Sequence, residues 1–144
     1  MIRQASPCDC AAVAALACQL WPEHTIAELE DEFLPLLSNP EAALFLAFSG
    51  ATPIGFAQCQ LRRDYVEGTS GSPVGYLEGI FVAESHRRRG YARLLLSACE
   101  VWPRVQGCRE CASDCELTNT DSLKMHLSLG FTEANRIICF TKKL

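Results

Sequence analysis

The chain has 144 residues, enough for one domain with a sizeable core, and its 49% apolar and 21% charged content excludes an intrinsically disordered chain. A formal net charge of −4, from 13 basic and 17 acidic residues, argues against general nucleic-acid binding but leaves room for a local phosphate site. The charge is divided: residues 4–61 hold seven carboxylates and no lysine or arginine, whereas residues 62–144 carry a net +2, which suits a polyanionic ligand on one side and a cationic co-substrate on the other.

Taken in chain order, Ile2–Ala5 reads as a short strand rather than the start of a signal peptide. Asp9 interrupts the following apolar stretch, and Val13, Leu16 and Leu20 recur at helical spacing. Ser6-Pro7-Cys8-Asp9 supplies a capping oxygen, a first-turn proline and an early carboxylate, so a helix should run to about Leu20 and stop at Trp21-Pro22. Thr25-Ile26-Ala27-Glu28 is a capping box for a second helix with Leu29, Phe33, Leu36 and Leu37 on its apolar side. Its acidic side, Glu28, Glu30, Asp31 and Glu32, is either a solvated face or a wall that attracts polycations.

Ala43–Phe48 and Ile54–Arg63 flank a turn at Ser49–Pro53 and should form a hairpin; Asp64–Pro73 is a loop and Val74–Val82 a central strand. Gly90–Trp102 is helical, with Leu94, Leu95, Ala98 and Val101 in one stripe and Pro103 ending or bending it. Glu110–Ser113 is a short strand, Asn119 caps a helix closed by Gly130, and Phe131–Lys142 is expected to add one or two strands. The order β-α-α-β-β-β-α-β-α-β gives an α/β fold with a mixed sheet, a single domain over residues 1–144. No apolar run reaches the length of a membrane span.

Nine cysteines stand in a chain without an evident secretory route, so the thiols are expected to be reduced, as in the cytoplasm. Cys108 and Cys111 have C-x-x-C spacing and Cys115 follows, but no second ligand pair exists and His126 is the only nearby histidine. Small buried apolar side chains account for these cysteines better than a metal site does, and no metal is expected.

The strand Ile80-Phe81-Val82 leads into Arg87-Arg88-Arg89-Gly90-Tyr91-Ala92, which opens a helix. Glycine there lets backbone approach a ligand closely, helix-start N–H groups attract phosphate oxygens, and three arginines add countercharge. An exposed basic turn with a helix cap is the plainer alternative.

Leu77–Val82 followed by Arg87–Ala92, together with His126-Leu127-Ser128-Leu129-Gly130-Phe131, resembles the acetyl-CoA site of the GNAT N-acetyltransferase superfamily. Leu20-Trp21-Pro22, Asp64-Tyr65-Val66, Ser72-Pro73-Val74, Ala112-Ser113-Asp114 and Met125–Phe131 narrow the likeness to aminoglycoside 6′-N-acetyltransferases. The resemblance implies a mostly antiparallel mixed sheet flanked by helices, with strands splayed at the acetyl-CoA site. It implies direct attack of a substrate amine on the thioester, no covalent enzyme intermediate, antibiotic resistance, and a homodimer paired through C-terminal strands. Ile80, Phe81 and Val82 would present backbone groups to the pantetheine arm and acetyl carbonyl, where a fixed N–H favours the developing oxyanion. Arg87, Arg88, Arg89, Gly90, Tyr91 and Ala92 would hold the pyrophosphate, and Asn119 would touch the cofactor. The substrate-contacting positions would be Trp21, Tyr65, Glu78, Asp114 and Asn135, the last standing where close relatives carry a glutamate.

Glu78 shares strand parity with Ile80 and Val82, so alternation places it on the same face, where a carboxylate is either paired or used to anchor or deprotonate an amine. Asp114 ends the next strand and can serve the same cation. Tyr65 and Trp21 either pack on sugar faces or belong to the loop and core. His126 is either an acid for the leaving thiolate or a packed helix histidine; a thiol of pKa ~8.5 needs no dedicated acid. Two other functions fit the same features: acetylation of another cationic amine (a polyamine, metabolite or peptide lysine), and cofactor binding without turnover.

Overall fold

In the computed structural model, which describes residues 1–144, five strands form one sheet in sequential order. They are β1 (Ile2–Gln4), β2 (Ala42–Ser49), β3 (Thr52–Arg62), β4 (Val74–Val82) and β5 (Cys111–Ser113). Strands β1 to β4 run antiparallel because short turns and loops join β2 to β3 and β3 to β4. Strand β5 lies parallel to β4, as a helical crossover between them requires.

Strand β2 is apolar on both faces because helices cover both sides of the sheet. Leu44 and Leu46 join Phe56 and Phe81 under α1 (Cys10–Leu20) and α2 (Ile26–Leu36). Ala43, Phe45 and Ala47 join Leu77, Val82 and Cys59 under Leu95, Leu96 and Cys99 of α3 (Tyr91–Val105). Helix α4 (Thr120–Ser128) follows β5.

The helix starts follow local chemistry. A 3₁₀ turn at Pro7–Asp9 leads into α1, and Asp9, bonded by Arg3 and by the Ser6 N–H, is held far below the usual carboxylate range. The capping box of α2 is complete: Thr25 Oγ1 accepts from the Glu28 N–H at 3.2 Å and Glu28 accepts from the Thr25 N–H at 2.8 Å.

Pro103 does not end α3, which continues to Val105. A proline N has no hydrogen to give the carbonyl four residues earlier, and that carbonyl, Cys99 O, instead accepts from Cys59 Sγ at 3.5 Å. The buried proline ring then packs on Gly75 of β4.

The C-terminal segment departs from expectation, since Phe131–Lys142 forms no strand. Phe131 turns inward against the α3-side core, but Ile137, Ile138 and Phe140 are 67%, 81% and 88% exposed. A strand needs a neighbour to bond its N–H and C=O groups, and the single chain offers this arm none.

A β-carbon at Gly75 would stand 2.6 Å from both Cβ and Cγ of Pro103. Gly75→Val is therefore expected to lower stability by about 1–3 kcal/mol, read as a lower urea midpoint at unchanged slope.

Candidate active site

Strand β5 pairs with only three residues of β4, Gly75, Tyr76 and Leu77. Beyond Leu77 the two strands part, and from Glu78 to Val82 β4 keeps only its β3 neighbour. Backbone groups on that open edge have no strand to bond.

A β-bulge falls at the same place. Gln58 pairs with Gly79 and Cys59 with Leu77, so Glu78 has no partner on β3. This overturns the parity argument. Gly75 and Leu77 face α3, and Ile80 and Val82 also pack on that side. Glu78 joins Tyr76 on the opposite face, and Gly79 faces the same way because its hydrogen meets the Trp21 ring. The extra residue shifts the alternation by one, so Glu78 does not share a face with Ile80 and Val82.

On that opposite face Glu78 accepts two hydrogen bonds from Arg62, from Nε at 2.9 Å and Nη2 at 2.7 Å. The Arg62 guanidinium lies 3.4 Å from the centre of the Tyr76 ring, and the Tyr76 hydroxyl donates to Asp114. Burial, then the Asp114 carboxylate, push the Tyr76 phenol well above its ordinary range, so it stays a donor. The two carboxylates singled out in the sequence are thus brought together through Arg62 and Tyr76.

Trp21 caps α1 with its ring between Gly79, Phe33 and Phe56, at 6.4 and 6.0 Å from the two phenylalanine rings. It belongs to the core margin beside Glu78. Tyr65, 78% exposed, stands on the loop between β3 and β4 and packs into no core. That loop is fastened at its base: Glu110 accepts from the Ser70 and Gly71 N–H groups at 3.0 and 2.8 Å. At its tip, Asn135 Nδ2 donates to Glu67 at 2.9 Å, and Ala134 fills the space a side chain at Gly68 would need. Asn135 therefore engages the loop.

His126 lies on the α3 side of the parting. Its Nδ1 donates to the Ser122 carbonyl at 2.7 Å, which leaves Nε2 to accept from the Ser113 hydroxyl at 2.8 Å. The same hydroxyl lies 3.1 Å from Leu77 O, its alternative acceptor, and the imidazole meets the Phe131 ring edge-on. Both ring nitrogens are engaged, at the last pair of residues joining β4 to β5.

The turn after β4 is opened by glycine and lined by arginines, one of which turns away. Gly90 caps α3 at φ +86°, with open space where a side chain would be, and Arg88 also takes the left-handed conformation at φ +58°. The first-turn amides of α3 have no intrahelical partner, and the exposed Arg88 and Arg89 make no ion pair. Arg87 instead turns back, its Nε donating to Val82 O at 3.0 Å. Asn119 caps α4 by accepting from the Ser122 N–H at 3.0 Å, which leaves its amide N–H groups free. An open strand edge that ends in a glycine-opened, basic helix start fits coenzyme A, whose pantetheine carries amides and whose nucleotide end carries phosphates.

Arg62, Tyr76, Ser113 and Glu110 were missed in the sequence. The hairpin register would have set Arg62 opposite Val74, two residues from Tyr76, but the bulge that turns Glu78 toward it leaves no mark in composition. No three His, Cys, Asp or Glu side chains are grouped to hold a metal ion, and of the three cysteines expected to be buried only Cys108 is; Cys111 and Cys115 are exposed. An open groove of about 480 Å³ between α3 and the first two strands, lined by Phe45, Val101, Trp102 and Val105 among others, carries no titratable group and lies away from this chemistry.

The chain belongs to the GNAT acetyltransferase family, whose model, described as "Acetyltransferase (GNAT) family", matches residues 10–131. It is 41% identical over 144 residues to an aminoglycoside N(6′)-acetyltransferase type 1 of Stenotrophomonas maltophilia, covering 99% of this chain and 93% of that protein. The protein of the same name from Salmonella typhimurium is 43% identical over 129 residues, 87% of this chain and 86% of its own. Among solved structures, AAC(6′)-Iy in complex with the bisubstrate analogue CoA-S-monomethyl-acetylneamine superposes with a TM-score of 0.95 at 40% identity, covering 100% of this chain and 98% of that one. Apo AAC(6′)-Ig of Acinetobacter haemolyticus gives 0.95 at 39%, covering 100% and 99%.

The hydrogen bonds from Ser70 and Gly71 hold the Glu110 carboxyl below its ordinary 4.5. A depressed carboxyl contributes its fastening above pH 4.5 and loses it as pH falls through the lowered value. The Ser70 and Gly71 amide NMR signals are expected to titrate with a midpoint below 4.5, and Glu110→Gln should abolish that titration.

Proposed function

We propose that this protein transfers the acetyl group of acetyl-CoA to the 6′-amine of aminoglycoside antibiotics and thereby confers resistance to them. The observation that carries this reading is the juxtaposition of an anionic seat, Glu78 with Asp114, and the open β4 edge that starts at the same residue. The names of the relatives point the same way.

Acetyl-CoA supplies the acyl group already activated as a thioester. The chain's own part is to bind, orient and move protons. Backbone groups of Ile80, Phe81 and Val82 hold the pantetheine in strand fashion along the open edge. Arg88 and Arg89, with the backbone of Gly90, Tyr91 and Ala92, hold the pyrophosphate. Arg87 shapes that turn through Val82, and the free amide N–H groups of Asn119 face the cofactor.

Glu78 receives the reacting amine on the lone pairs that Arg62 leaves unused and accepts its proton, directly or through water. Asp114 supplies the second negative charge of the seat. Trp21 forms its floor, and Tyr65 offers an exposed aromatic face to a sugar ring. The proton taken up by Glu78 passes to solvent, and the departing thiolate takes its proton from the Ser113 hydroxyl, which is resupplied by His126 once its Nε2 has picked up a proton from solvent. Asn135 acts on substrate through Glu67 and the loop.

We place the reaction in the cytoplasm, where acetyl-CoA is made and thiols stay reduced. We also propose a homodimer in which the exposed Ile137–Phe140 arm is covered by a second copy.

Release of free thiol from acetyl-CoA tests the activity. Turnover is expected with 6′-amino aminoglycosides and not with their 6′-hydroxyl counterparts. Turnover with spermidine alone would reassign the acceptor, and intact CoA binding without turnover would make the chain a non-catalytic binder. Glu78→Gln should lower kcat about a hundredfold or more at unchanged CoA affinity, and Arg88→Ala should weaken CoA binding instead. Sedimentation should give twice the chain mass, falling to the single-chain mass for Ile138→Asp.

A further inference from the structure

The Arg62 guanidinium makes an unusual reach. Its own cross-strand partner is Val74, yet it extends over the Tyr76 ring to meet Glu78, four residues further along β4. It thus sets a cation against Glu78 and over the Tyr76 ring, whose hydroxyl bonds the other carboxylate assigned above to the acceptor amine, Asp114. The charged and titratable groups around it are Glu78 and Tyr76 of β4 and Asp114 after β5. Its neighbour Arg63 is paired with Glu41, at 2.6 Å, and takes no part in the cluster.

A purely structural ion pair at this position would contribute little, because the Arg62 and Glu78 side chains remain 42% and 20% exposed. Its effect on charge is larger. Two ionised carboxylates alone would present −2 to a bound amine and hold it as ammonium, which has no lone pair for attack. With the guanidinium present, the same carboxylates present −1, and each Glu78 oxygen keeps a lone pair for the amine.

We propose that Arg62 is a positioning residue of the acceptor site: through its forked bond to Glu78 it fixes that carboxylate and trims the seat to one net negative charge, so that the seat captures the amine yet favours its neutral, attacking form. This rests on the acetyl-transfer reading given above. A like charge within about 4–6 Å of an amine lowers its pKa by about 1–3 units, and each unit changes the neutral fraction tenfold at a pH below it.

The test is the pH dependence of kcat and KM for a 6′-amino aminoglycoside in wild type, Arg62→Gln and Arg62→Lys, with CoA affinity measured alongside. Arg62→Gln should lower KM for the aminoglycoside, lower kcat at pH 7 about tenfold or more, and move the acid limb of kcat to higher pH by about one unit or more. CoA affinity should stay within about twofold, since Arg62 lies outside the cradle. Arg62→Lys keeps the charge without the fork and should return the limb toward its wild-type position. An unmoved limb in Arg62→Gln, or a limb in Arg62→Lys displaced as far as in Arg62→Gln, would overturn the proposal and leave Arg62 a structural ion pair. Failure of the wild type to turn over any aminoglycoside would remove the underlying reading instead.

Discussion

The architecture depends on the separation of β4 from β5. Three paired residues bring β5 to Leu77, and from there β4 runs on with one edge unbonded. A sheet ordinarily fills such an edge, because bare N–H and C=O groups near a protein interior are unfavourable. Here three features keep the edge open. The bulge at Glu78 twists the strand, β5 stops at Ser113, and the Ser113 hydroxyl, held between Leu77 O and His126, marks where pairing ends. Shape and charge are set at one point: the residue that breaks the register is also the one whose carboxylate Arg62 holds.

The two faces of the sheet divide the work proposed for them. Glu78, Gly79 and Tyr76 look toward α1 and the loop after β3, with Asp114 joined to Tyr76 and Trp21 packed on Gly79. Ile80, Val82, Ser113 and His126 look toward α3 and α4. The charge asymmetry of the sequence follows the same division, since the acidic helix α2 lies on the first side and the basic turn opens the helix on the second.

Much of this was legible in the sequence, for identifiable reasons. The Thr25–Glu28 capping box, the hairpin turn before Pro53 and the strand–turn–helix at Ile80–Ala92 are local patterns with local causes, and the structure reproduces them. The face of Glu78 was misread because alternation assumes an unbroken register, and a bulge reflects pairing between distant strands. The missing N–H of Pro103 reads locally as an end or a bend of the helix, whereas the thiol that satisfies the freed carbonyl of Cys99 lies forty residues earlier in the chain. The terminal apolar segment has strand composition but no strand, because a strand is a relation between two segments and composition describes only one.

Loop 64–73 is clasped from two directions, by Glu110 of the body at its base and by Ala134 and Asn135 of the C-terminal arm at its tip. These attachments differ in kind. The first joins parts of the folded domain; the second belongs to a segment whose apolar side chains Ile137, Ile138 and Phe140 stay exposed. A pull on the arm would therefore reach the loop that carries Tyr65 through Asn135 and Ala134, whereas the Glu110 attachment would stay in place.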